Sequence, residues 1–366
     1  MSIEENLEKS QGIQKILLDY IEKEENVEED FGNLSKKLNE KKIKDDINEL
    51  KLFLHLLTKI SNNHNRISNF FYKIEKIILF FEDQIKKYFS NREIFCILKI
   101  FSIDEGIFNI IIQDKYKEAN YPQYFMPEIK QFVTESFIQK IVQNDLINEN
   151  DWIDFVLKDL PDDFEEKRLK GENDDRLSEL IQNDKLEEFI TYVNQNMLAP
   201  QGQIKRSIYE TNNFLNKRKS TLIEYSAFFG SIQIFKYLFL NKADVSPSLW
   251  LFAIHGNNPE MIHFFEKNKI APPKDKYDEC FIEAVKCHHN DVANYIANDL
   301  LNDFKSSLYL RKILKYFNFS FIQKKDIDVP NFIILCKYDY YSLVKILLDT
   351  KWIDINRIIV FYFINN

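Results

Sequence analysis

Ser220-Thr221-Leu222-Ile223-Glu224-Tyr225-Ser226-Ala227-Phe228-Phe229-Gly230-Ser231-Ile232-Gln233-Ile234-Phe235-Lys236-Tyr237-Leu238 reads as two short helices. Hydroxyl residues open the first, and Ser226 and Ala227 place small side chains on its inner face. Gly230 ends it, because glycine reaches the left-handed backbone region without penalty. Ile232, Ile234, Phe235, Leu238 and Phe239 make the second helix apolar, and Asn241-Lys242-Ala243-Asp244-Val245 closes the unit with a polar turn. Small residues on the first helix let the second lie close against it.

The pattern recurs. Ser248-Leu249-Trp250-Leu251-Phe252-Ala253-Ile254-His255-Gly256-Asn257 leads into Glu260-Met261-Ile262-His263-Phe264-Phe265, with Asn257 in the place of Gly230. Phe281 to His288 leads into Asp291 to Ile296, and Ile333 to Asp339 into Leu343 to Leu348. The equivalent turns lie 27, 31 and 51 residues apart, and the longest gap holds an extra helical stretch from Phe304 to Phe317. Upstream, Leu177 to Val193 has the same form in a worn version, with Asn183-Asp184 at the turn. Antiparallel helical hairpins are therefore expected at 221–240, 248–267, 279–298 and 331–349, with little or no sheet.

These units resemble ankyrin repeats: a hydroxyl-led first helix, small residues, a glycine turn, an apolar second helix and an Ala-Asp-Val exit. The passage from Thr221-Leu222-Ile223-Glu224-Tyr225-Ser226-Ala227-Phe228-Phe229-Gly230 through Lys286-Cys287-His288-His289-Asn290-Asp291 resembles the central domain of a large family of ankyrin-repeat proteins from single-celled eukaryotes, a domain catalogued as one of unknown function. The likeness extends upstream through Tyr88-Phe89-Ser90-Asn91-Arg92-Glu93-Ile94-Phe95. It implies a non-catalytic α-solenoid that binds protein, and it implies no substrate and no mapped site. Members usually continue into more regular repeats, so this sequence reads as a truncated member.

Composition agrees with helices. In 366 residues there are 7 Gly and 9 Pro, too few for a turn-rich all-β fold, while 45% apolar residues supply ample core. The net charge of −8 opposes general affinity for nucleic acid or anionic lipid. Cys96, Cys280, Cys287 and Cys336 lie in apolar helical patterns, as buried thiols of a reducing compartment do. The polar, acidic start shows no secretory signal and no apolar run is long enough for a membrane span, so the expected location is cytoplasmic.

Four regions are expected: an irregular helical domain over 1–160, a charged linker over 161–176, an ankyrin-like region over 177–356 and an apolar stub over 357–366. In the first, helices are predicted over 3–24 and from about Leu34 to Ile60. A strongly amphipathic helix should run from Ile67 to Tyr88, and two short helices should meet near Ser102-Ile103-Asp104. Beyond the aromatic loop at Tyr121, Tyr124 and Phe125, a helix is expected over 128–143 and another around Trp152 to Leu160. The loop either folds back on the helices or serves as a recognition loop. Residues 358–364 either fold back near Ile346 and Leu347 or drive self-association.

Catalytic motifs are missing. The two closest glycines, Gly12 and Gly32, are 20 residues apart, which rules out a phosphate loop, a dinucleotide fingerprint and a nucleophile elbow. Cys280, Cys287, His288 and His289 form the one metal-like group, but His288 falls at a turn and His289 begins the next helix. Structural zinc needs four converging ligands, so packing is the reading. His255 and His263 read as structural or surface residues. Lys217-Arg218-Lys219 with Lys205-Arg206 is either a solvated edge or a weak basic patch. No catalytic, cofactor-binding or metal residue is assigned. The expectation is an all-α solenoid of helical hairpins acting as a protein-interaction scaffold, with protein partners and no nucleic acid, membrane, small-molecule substrate or cofactor. The alternatives are a non-functional family member and an enzyme with an unrecognised helical active site.

Overall fold

The computed structural model describes residues 2–23, 27–63, 67, 69–89, 167, 170–207, 209–210, 212–216, 218–327 and 329–352. The short helices near 102, the aromatic loop, the helices expected over 128–143 and 152–160, and the stub at 357–366 lie outside them. Among the described residues there are 17 α-helices and no strand; the sheet-like pairing present is one isolated bridge between Gln203 and Thr221. The chain divides into two compact units that are not consecutive halves: residues 1–60 with 246–366, and residues 61–245.

In the first unit α1 (Ile3–Glu22) begins at a capping box, in which the Ser2 hydroxyl accepts from the Glu5 N–H and the Glu5 carboxylate from the Ser2 N–H. α2 (Val27–Glu40) and α3 (Ile47–Ser61) follow. The single helix expected from Leu34 to Ile60 is thus broken. Lys42 takes a positive φ of 54°, the Ile43 N–H donates back to the Leu38 carbonyl, and the Asp46 side chain accepts the Asn48 N–H to restart the helix. The apolar seam Leu34, Leu38, Leu50, Leu54 and Leu57 is nevertheless buried on both sides of the break. In the second unit the helix expected over 67–88 is likewise divided. α4 (Phe70–Phe80) and α5 (Glu82–Tyr88) meet at Phe81, whose φ of −104° and ψ of 11° are not helical.

The remaining helices are mostly paired. The second unit contains α6 (Arg176–Gln182) with α7 (Leu186–Gln195), the single turn α8 (Asn213–Asn216), and α9 (Leu222–Phe229) with α10 (Ile232–Leu240). The first unit contains α11 (Leu249–His255) with α12 (Pro259–Lys267), α13 (Asp278–Lys286) with α14 (Asn290–Tyr295), α15 (Ser306–Lys315), and α16 (Val329–Lys337) with α17 (Tyr341–Asp349). The four hairpins expected from the sequence, and the worn one at 177–193, are all present.

One turn geometry joins each pair. Asp184, Gly230, Asn257, His288 and Asp339 all have positive φ, between 50° and 69°. In each case the next N–H reaches back five residues: Lys185 to Leu180, Ser231 to Ser226, Asn258 to Ala253, His289 to Ala284 and Tyr340 to Leu335, at 2.9–3.1 Å. This is the Schellman closure, which satisfies carbonyls left over at a helix end. One of the five turn residues is glycine, so the other four hold a conformation that costs an L-residue about 1 kcal/mol. Phe317, with φ 55°, ends α15 the same way, the Asn318 N–H donating to Ile313. The long gap before Asp339 therefore holds a first helix whose partner has shrunk to the 3-10 turn Phe319–Phe321.

Second helices end alike. Met197, Lys242, Lys269 and Lys351 have positive φ, and Asn196, Asn241 and Asn268 each donate a side-chain bond to the carbonyl four residues earlier at 2.8 Å. α14 departs from this by running into a π-turn over Ile296–Leu300. Ala227, Ala253 and Ala284 are fully buried. The turn hydrogen bonds show, however, that the counterpart of Ala253 and Ala284 is Ser226 and not Ala227. Ser226 is also fully buried, its hydroxyl donating to the Ile223 carbonyl.

Candidate functional site

Among the described residues, two grooves and two buried polar clusters bring polar and titratable groups together. In the first unit, Glu283 and Cys287 stand one helical turn apart at the end of α13, and His255 comes from the end of α11. His255 Nδ1 lies 2.6 Å from Glu283 Oε1 and 3.3 Å from the Cys287 sulfur. The Lys286 ammonium reaches the same Glu283 oxygen at 2.8 Å. Burial on its own would raise the Glu283 carboxyl, but the hydrogen bond and charge of His255, with the charge of Lys286, hold it down at about 2. Burial and the Glu283 charge push the Cys287 thiol well up.

This geometry is not a nucleophilic relay. A relay needs the two imidazole nitrogens to face different partners, whereas the carboxylate and the thiol both meet Nδ1. An activated cysteine also needs a depressed pKa, and Cys287 has the opposite. The donor set His255, Glu283 and Cys287 is the one group among the described residues whose atoms converge closely enough for a metal ion. Its carboxylate oxygen already receives His255 and Lys286, so the buried negative charge is paired within the cluster.

The metal-like group read from the sequence is dispersed. Cys280 is buried, with its thiol pushed up by burial and by Glu279, Glu283 and Asp278. His288 sits in the left-handed turn, facing Gln14 Nε2 at 3.1 Å through Nδ1 and the Tyr316 carbonyl at 2.9 Å through Nε2. His289 bonds the His255 carbonyl of the preceding hairpin at 3.1 Å. Burial depresses both rings, His288 to about 3 and His289 to about 4, so they are neutral joints between backbone segments. His263 is exposed on α12. Glu283 was not among the residues picked from the sequence. Its four-residue spacing from Cys287 was visible, but the approach of His255 is tertiary.

Gln14 is the polar hub of the first unit. Its amide nitrogen also donates to Asn318 Oδ1 at 2.9 Å, and its oxygen accepts the Phe319 N–H at 2.6 Å. Gln11 donates to the Phe319 carbonyl at 3.0 Å. Asn318 in turn donates to the Val285 carbonyl and to Asn290. A groove of ≈ 710 Å³ runs beside this clasp, between α1 and the hairpin turns. Glu8, Asp19, Glu22 and Asp291 face it, with Lys15 and Asn257. Burial, Asp19 and Asp291 raise the Glu22 carboxyl. A second groove of ≈ 600 Å³ lies against α17 and mixes Lys9, Lys42 and Lys345 with Asp45, Asp46 and Asp349.

In the second unit Lys205, Arg206, Arg218 and Lys219 are exposed; Lys217 lies outside the described residues. Arg218 is occupied locally, stacked 3.8 Å from the Phe214 ring and bonded to the Phe214 carbonyl. Asp184 links successive hairpins by accepting the Gln233 and Ile234 N–H groups at the start of α10, both at 3.0 Å. Among the described residues no helix is long and apolar enough to cross a membrane. Among the described residues the molecule is all-helical, with most helices joined in hairpins. No protein-family model, curated protein or solved structure matches this chain.

Proposed function

We propose that this chain is a non-catalytic protein-interaction scaffold whose hairpins are degenerate ankyrin-like repeats of an α-solenoid. The observation that carries the reading is the recurrence of one left-handed, Schellman-closed turn at five hairpins of different sequence. Repeats that share backbone geometry while varying exposed side chains are how such arrays make binding surfaces. The buried polar residues described in the first unit support the same reading, since they bond backbone and one another and, among the described residues, display no activated nucleophile. The acidic groove beside α1 is the preferred contact surface, and its partner is a basic protein segment, held by charge complementarity.

Affinity purification with the full chain, compared with a D19K/D291K variant of unchanged circular dichroism, tests this. The expected result is a specific protein partner that binds the native chain in a salt-sensitive manner and is lost from the variant. Failure to capture any partner, or equal capture by both chains, would overturn the reading.

A further inference from the structure

Beside the Phe189–Tyr237 ring contact, the seam between the first two hairpins of the second unit carries a set of polar groups. Asn173 Nδ2 donates to the Lys205 carbonyl at 2.7 Å, and the Ser207 hydroxyl to Asp174 at 2.9 Å. Gln182 Nε2 reaches both the Asn173 carbonyl and the Tyr225 hydroxyl at 2.9 Å. Glu210 is set into this seam. Its Oε1 accepts the Asn212 N–H at 2.8 Å, and its own carbonyl accepts from Asn216. Asn212 then caps α8 by accepting the Phe214 and Leu215 N–H groups. The turn of α8 is thus tied to Glu210 through Asn212 and Asn216.

The second Glu210 oxygen, Oε2, is buried and accepts no hydrogen bond among the described residues; the same holds for Gln182 Oε1. A buried carboxylate oxygen without a donor is costly, and a charge there more so. Among the described residues, the charged and titratable groups around it give no relief. Glu172 adds a second negative charge, and Tyr225 is held neutral by burial. Lys167 is paired with Asp174 at 3.0 Å and lies over the Tyr209 ring. One proton on the carboxyl removes the charge and supplies a donor in a seam that holds surplus acceptors.

We propose that Glu210 is a proton-operated latch: protonated, it closes the seam between the first and second hairpins, and ionised, it opens that seam and frees α8 to water. Burial and the nearby Glu172 push the Glu210 carboxyl up to about 8, against the opposing pull of the Asn212 and Asn173 backbone N–H groups. The latch therefore works near neutral pH and not in acid.

The test is hydrogen exchange of the 209–216 amides in the full chain from pH 6 to pH 9, corrected for intrinsic rates, alongside ¹³C titration of the glutamate carboxyl carbons. Expected are one glutamate titrating near pH 8 and a loss of protection of tenfold or more over the same range. Glu210→Gln should abolish both while keeping these amides protected at pH 9. Glu172→Gln, which removes the neighbouring charge and leaves the latch in place, should move the midpoint to lower pH. The proposal is overturned if every glutamate titrates below pH 6, or if these amides lose protection equally in the native chain and Glu210→Gln. Should Glu210→Gln not fold, the native titration and the Glu172→Gln shift decide alone.

Discussion

Gln14 of the first helix and His288 of the fourth hairpin's turn, 274 residues apart, share a hydrogen bond of 3.1 Å in a fully enclosed setting. The bond fixes the tautomer: Gln14 Nε2 is a donor, so His288 Nδ1 must accept and Nε2–H donates to the Tyr316 carbonyl. Both N–H donors of the Gln14 amide are used, and its oxygen accepts the Phe319 N–H.

Gln14→Leu should therefore destabilise the first unit more than loss of one contact would suggest. It orphans His288 Nδ1 and the Phe319 N–H in a buried site, at about 1–3 kcal/mol for each unsatisfied group. The midpoint of urea unfolding should fall clearly. A midpoint within error of the native chain would mean that the clasp contributes nothing.

Ala253 is fully buried where α11 packs against its neighbours. Ala253→Leu should overpack this contact and cost about 1–3 kcal/mol, as added methylenes in a filled core do. Ser226→Leu should behave in the same way, because Ser226 holds the equivalent place. Unchanged melting temperatures for both would show that the hairpin register is wrong.

Acid should weaken the first unit through its histidines. His288 and His289 are depressed to about 3 and about 4 when folded, against an ordinary value near 6.5. Between those values the unfolded chain binds protons that the folded chain cannot, so stability falls as pH drops below 6.5. At pH 5 the loss is about 2 kcal/mol for each ring. Urea unfolding at pH 7 and pH 5, with His289→Asn as the comparison, should show a smaller acid penalty in the variant.

Thiol labelling should separate the cysteines. Cys336 is exposed, whereas Cys280 and Cys287 are fully buried with thiols held protonated. Iodoacetamide under native conditions should modify Cys336 and spare the other two until denaturant is added. Rapid native labelling of Cys287 would contradict the closed His255–Glu283–Cys287 cluster.

The sequence alone determined what is local. Apolar spacing fixed the hairpins, since a helix must bury the face its periodicity creates. The left-handed turns at Gly230 and Asn257 followed from residue types that tolerate positive φ. Breaks at Lys42 and Phe81 were not legible, because neither residue favours such a backbone and the apolar pattern runs through both. Burial of Ala227, Ala253 and Ala284 followed from their small size in apolar helices, while the hydrogen-bonded turn sets the register and makes Ser226 the counterpart of Ala253.

The tertiary structure decided which distant groups meet. Nothing in Gln14 announces that it will clasp Asn318 and Phe319, or in His255 that it will face Glu283, because each of these side chains is commonplace where it stands in sequence. The grouping of residues 1–60 with 246–366 is of the same kind. Periodicity states that a helix has a face to bury. Which other face covers it depends on shape and on satisfying buried polar groups across hundreds of residues, and these are properties of the assembled core.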